Sequence, residues 1–171
     1  MVSAALLAIL AFGHVLSAVG WLGGGLLVTF VLGPNLVRLA PAARLEFNAK
    51  ILPRVIRFVE VTIGTTFLFG LLLLYVYFNG NFTFLSGTAQ GLELSSGIIL
   101  ALGDAVLANA IIFPTFRKVI RMSNDLLQGG QQAPPPELLK YSERARLGSL
   151  IGVFLLIIVL ALMVFAGFGF Y

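Results

Sequence analysis

The chain contains no cysteine, which excludes disulfides, thiolate metal sites and cysteine-based redox chemistry. It has a single histidine, His14, and three methionines, Met1, Met122 and Met163. No relay of soft ligands suited to Cu(I) can be built from that set. Charge is scarce as well. Asp, Glu, Lys and Arg make up 11% of the 171 residues, against roughly 25% in a soluble domain. Hydrolytic triads, phosphate-binding glycine loops and paired-carboxylate sites all lack candidates. What the chain does have is apolar: hydrophobic residues account for 59% of it and mean hydropathy is +1.03. Water is the wrong principal solvent for such a composition.

The apolar residues gather into four runs, about 4–33, 55–78, 97–113 and 147–170. Each is close to or longer than the ~20 residues a helix needs to cross a bilayer. The first run has no Lys or Arg ahead of it and stays apolar from Ala4 to Leu32. That exceeds the roughly 7–15-residue core of a cleaved signal peptide, so it is expected to be a retained span. The connections 34–54 and 114–146, with Arg57 just inside the second span, hold all 11 basic residues, and the connection 79–96 holds none. Because Lys and Arg collect in cytoplasmic loops, the two basic connections are expected inside, and 79–96 outside. The expectation is an all-α, polytopic protein of the cell membrane: one domain over 1–171, a four-transmembrane-helix bundle, N-out and C-out. The net charge of +4 then reflects orientation beside anionic lipid, and nucleic acid is not expected as a partner. Asn81-Phe82-Thr83, on the expected outer side, fits a glycosylation acceptor.

Within the first basic connection, Ala42–Leu52 mixes Leu45, Phe47, Ile51 and Leu52 with Arg44, Glu46 and Lys50. It reads either as a short amphipathic helix on the membrane surface or as a solvated connector. The second holds Gly129-Gly130-Gln131-Gln132 and Pro134-Pro135-Pro136, a flexible link ended by stiff polyproline. A helix is expected to start near Pro136 and run unbroken into the fourth span. Val31-Leu32-Gly33-Pro34 corresponds loosely to Ile111-Ile112-Phe113-Pro114, which admits two helical hairpins of like orientation. Close approach of helices in lipid depends on small residues. Gly13, Ser17, Gly20 and Gly24 in the first span, Gly97, Ala101, Asp104 and Ala108 in the third, and Gly148 and Gly152 in the fourth are expected to meet in the interior. Gly20 and Gly24 facing a second copy is the alternative.

Ionisable and polar groups inside a membrane are costly and mark function or buried pairing. The candidates are His14, Asp104, Asn109 and Glu60. A neutral imidazole at His14 can bind haem iron or copper, or carry protons; the alternative is a histidine hydrogen-bonded within a helix interface. Glu60 follows Arg57 by three residues, which predicts a local ion pair. Counting at 1.5 Å per residue from Arg38 and Arg117 puts His14 about 35 Å and Asp104 about 20 Å from the basic edge. A direct bond between the two is not expected.

Gly13-His14-Val15 followed by Trp21-Leu22-Gly23-Gly24-Gly25 is an H-x6-W-x-G-G pattern. It is followed by Val31-Leu32-Gly33-Pro34, Leu39-Ala40-Pro41-Ala42-Ala43-Arg44-Leu45 and a span after Pro53-Arg54. In these residues the first half of the chain resembles the copper resistance protein D (CopD) superfamily of small membrane domains. Phe113-Pro114 and Arg144-Ala145-Arg146-Leu147-Gly148 fit more loosely. The resemblance implies a four-helix core with His14 as the ligand position for haem b or copper, and with Trp21 and Gly24 of the same motif on the cofactor side. The additional His and Met that copper handling calls for are absent, as is a Lys or second His in spans two to four. The function expected on this basis is haem or copper binding through His14, for redox or metal handling. The alternative is a cofactor-free accessory subunit of a larger membrane enzyme or respiratory complex. Expected partners are the lipid bilayer and either other membrane subunits or further copies of the chain.

Overall fold

The structure is a computed structural model that describes residues 3–131 and 133–168. Met1, Gln132 and the end of the fourth run at Phe170 lie outside them. All regular elements among these residues are helical. In chain order they are α1 (Ala4–Leu36), α2 (Pro41–Lys50), α3 (Leu52–Tyr77), α4 (Phe84–Gly87), α5 (Ala89–Gln128) and α6 (Pro136–Phe168). Four of the helices are long and apolar enough to cross a membrane: α1, α3, α5 and α6. They form an all-α four-helix bundle.

Local chemistry sets several of the boundaries. Ser3 caps α1 by accepting from the Leu6 N–H at 3.2 Å, and Thr88 caps α5 through the Gly91 N–H at 2.9 Å; each satisfies a donor that the first turn leaves free. Pro41, Pro53 and Pro136 sit in first turns, where a missing N–H costs nothing. Asn79 (φ 49°) and Gly80 (φ 74°) reverse the chain after α3, in a left-handed conformation that glycine and asparagine tolerate best.

Pro34 and Pro114 lie inside long helices, and the backbone handles both in the same way. A proline ring clashes with the carbonyl four residues back and donates no hydrogen bond. Ahead of each proline the helix widens into a π segment, Leu27–Leu32 in α1 and Ala108–Ile112 in α5. The residue before each proline then bonds five residues back, Gly33 N–H to Val28 O and Phe113 N–H to Ala108 O. The residue after each proline also donates its side chain to the carbonyl four residues back. Asn35 Nδ2 donates to Val31 O at 2.7 Å, and Thr115 Oγ1 donates to Ile111 O at 2.6 Å. This matches the alignment of the two sequence segments, and it supports a bundle made of two like hairpins.

The packing follows that division. α1 packs along α3, and α5 packs along α6; the two hairpins meet through α1 against α6, α3 against α5 and α2 against α5. The small-residue faces of the first and third spans do not meet, contrary to expectation. A Cβ on Gly20 would lie 2.7 Å from Thr62 and one on Gly24 2.8 Å from Val59, so both glycines close on α3. Gly97 closes on Met163 of α6, and Gly148 on Ile112 of α5. These glycines are used within their own hairpins, because neighbours in sequence form the closest antiparallel pairs, whereas Gly25 closes on Val153 of α6 at 3.1 Å. Gly20 and Gly24 are thus covered within one chain.

Two further expectations need adjustment. The amphipathic segment is a helix, α2, but Leu45 on it is 0% exposed and the helix packs on the lower part of α5. The segment 114–128, placed in a loop by its charge, continues α5 to Gln128. Phe113, Phe116, Val119 and Ser123 repeat at helical spacing there and are buried. Elsewhere the surface is apolar: Ile9, Phe12, Leu16, Leu71, Ile99, Val106, Phe154 and Ile158 are all exposed. Apolar surface spread over all four long helices is what a lipid environment covers.

Candidate functional site

Asp104 is the deepest charged-type residue, 2% exposed, on the face of α5 that meets α6. Its Oδ1 has no hydrogen-bond partner in the described protein. It borders a cavity of about 50 Å³ lined by Trp21, Gly25 and Val28 of α1, Ala108 and Ile112 of α5, and Ser149 and Gly152 of α6, among others. Glycine at 152 is a spatial requirement, since a Cβ there would sit 3.0 Å from Asp104 Oδ1. Ser149 donates its hydroxyl proton to Ala145 O at 2.9 Å, which leaves its lone pairs as acceptors. Trp21 is buried, packs its ring 5.8 Å from that of Phe67, and carries an indole N–H that no described residue accepts. Sequence reading singled out Asp104 but not Ser149. The serine lies beside Gly148 and one turn before Gly152, on the stretch of α6 that approaches the π segment of α5.

His14 lies elsewhere, between α1 and α3. Its Nδ1 is 3.0 Å from Thr66 O, and an oxygen that only accepts requires Nδ1 to carry the proton. Gly70 makes the contact possible: a Cβ there would be 2.9 Å from the ring. The residue before His14, Gly13, admits Phe69 in the same fashion, at 2.8 Å. The two helices therefore interlock, glycine to ring, in both directions. His14 Nε2 makes no hydrogen bond to the described residues. Nearby hydroxyls are engaged within α3, with Thr62 Oγ1 donating to Val59 O and Thr66 Oγ1 to Thr62 O.

The structure does not gather the other candidates around His14. Trp21 lines the Asp104 cavity, and Gly24 is filled by Val59. Asn109 sits exposed in the π segment and donates to Ala105 O at 2.8 Å, which satisfies it locally. Glu60 does not pair with Arg57. It accepts from Arg117 Nη2 across the helix interface, tying α3 to α5 where proximity in sequence had pointed along α3. At the same end Lys118 donates to Tyr141 Oη and lies 3.7 Å from Glu137, while Arg146 pairs with Glu143 at 2.6 Å.

Among the described residues no group of three or more His, Cys, Asp or Glu side chains comes together as a metal site. A copper centre with several protein ligands does not fit this donor set. A haem asks for less, because a single axial histidine suffices in several haem proteins. His14 with its Nδ1 proton held by a carbonyl fits that role. No protein-family model, curated protein or solved structure matches this chain. The resemblance to the CopD superfamily accordingly stands on the residues quoted for it alone.

Proposed function

We propose that the chain is a CopD-like, multi-pass protein of the cell membrane that binds haem b through His14, with both termini on the outer face. The observation that carries the proposal is the bond from His14 Nδ1–H to Thr66 O. Metal-bound histidines characteristically donate the second ring N–H to a carbonyl or carboxylate, which fixes the tautomer and directs the other lone pair to the metal. Here that lone pair belongs to Nε2. Copper is the weaker alternative, for want of further ligands. Bound haem would supply one-electron redox chemistry; the chain's own contribution is to orient the imidazole and shield it in an apolar interface. His14 would hold the haem, and a second copy or another membrane subunit would be the source of any further ligand.

The orientation follows from charge: all the basic residues lie on or beside the two connections at one end of the bundle, which the positive-inside tendency assigns to the cytoplasm. A second reading, a cofactor-free accessory subunit, draws on the apolar surface exposed along α1, where Ile9, Phe12, Val15, Leu16 and Val19 offer a face to another membrane protein.

An absorption spectrum of protein purified gently from membranes tests the proposal. The haem reading expects a Soret band that disappears in His14→Ala, with the variant still folded by circular dichroism. A colourless, metal-free protein that co-purifies in fixed ratio with a membrane enzyme would overturn it in favour of the accessory role.

A further inference from the structure

We propose that the cavity beside Asp104 is a hydrated proton-binding site, in which the Asp104 carboxyl takes up and releases a proton through water held between the two hairpins. Three observations bear on it. First, the carboxyl is nine-tenths buried and more, has an oxygen without a protein partner, and borders the space concerned. An unpartnered acceptor inside a protein is costly unless something completes it. Second, the space is large enough: about 50 Å³, where one water needs roughly 10–15 Å³ by the same kind of measure. A bound water also needs polar partners, and among the lining residues Asp104, with its unpartnered Oδ1, Ser149, whose Oγ keeps its lone pairs, and Trp21 are the ones that carry polar side-chain groups. Third, the space lies where both helices are distorted, with Val28 from the π segment of α1 and Ala108 and Ile112 from that of α5 in its wall. Such widened turns recur at functional positions, and interrupted helices line the midplane sites of many transport proteins.

The chemistry is a simple exchange. The neutral acid loses its proton to a cavity water, whose positive charge passes on through hydrogen-bonded water, and the carboxylate that remains accepts from water. No other ionisable side chain lines the cavity from α1, α3, α5 or α6. Asp104 is therefore the sole titrating group there. Neither His14 nor a haem enters this proposal.

Infrared difference spectroscopy of the protein in liposomes, titrated with pH, is the test. Asp104 and Asp125 are the only aspartates in the chain, and Asp125 is exposed, so carbon-13 labelling of aspartate isolates the signal. The expected result is a label-shifted carboxylic acid band, distinct in frequency from that of exposed Asp125, that is present at low pH and lost reversibly as pH rises. Asp104→Asn should abolish it. Gly152→Ala and Ser149→Ala keep the carboxyl, and each should move the band's frequency and its midpoint. These two variants keep the test decisive if Asp104→Asn fails to fold. A labelled acid band of constant size across the whole folded pH range would overturn the proposal, showing a permanently neutral packing group. So would a single aspartate titration that survives Asp104→Asn, or that neither conservative variant disturbs.

Discussion

At the residue scale, the bundle is built by glycines that remove a side chain where a partner arrives. Gly24 and Gly23 make a controlled comparison, since the first meets Val59 at 2.8 Å and the second has nothing within 4 Å of an added Cβ. Gly24→Ala is expected to destabilise the fold by about 1–3 kcal/mol through overpacking, whereas Gly23→Ala stays within about 0.5 kcal/mol of the parent. Reversible unfolding in mixed micelles measures both; equal effects would mean that α1 and α3 are not held at this distance. The Glu60–Arg117 pair is a weaker tie. Arg117 is 58% exposed and Glu60 27%, and pairs so open to solvent couple by about 1 kcal/mol or less. A double-mutant cycle with Glu60→Gln and Arg117→Gln should return a coupling in that range, falling further with salt. Sequence spacing offered Arg57 as the partner and could not reveal Arg117, because the choice depends on how α3 crosses α5.

Among the elements, the long apolar runs and the start of α6 at Pro136 were legible from the sequence. Length and hydropathy decide the former, and proline chemistry the latter. The lower half of α5 was not, because Arg117, Lys118 and Arg121 mask a buried stripe that only the positions of Phe116, Val119 and Ser123 reveal. The π segments were foreshadowed by matching prolines, although proline alone does not say whether a helix will kink, end or widen. A helix at α2 was one of two readings the sequence left open, and its docking was not legible. Leu45, fully buried against the rest of the protein, anchors it. Leu45→Ala should cost about 2–5 kcal/mol, as large-to-small core changes do, and it should free α2 selectively. Hydrogen exchange read on peptides covering 41–50 would show protection lost there while the core of α3 keeps its own; unchanged exchange would indicate that α2 is held by other contacts. For the candidate site, His14 and Asp104 stood out because polar groups are rare in such surroundings. The depth count from Arg38 and Arg117 also set the two apart, as the structure has them, but the partners of each were not legible, because they depend on which helices pair.

For the whole molecule, lipid is the solvent that reconciles an apolar exterior with an interior containing a carboxyl, a serine and a histidine. The two hairpins share one distorted seam, where the Asp104 cavity lies, while His14 belongs to the first hairpin alone. Haem binding and proton exchange would therefore be separable by mutation. Both depend on the same frame: four crossings, with the basic connections together on one side. Because the chain has no cysteine, any single introduced cysteine is a unique label. Ser86→Cys, in the connection without basic residues, should react with a membrane-impermeant maleimide in intact cells, while Gly130→Cys should react only after the membrane is opened. Reaction of both positions in intact cells, or of Gly130→Cys alone, would contradict the arrangement on which the functional proposals rest.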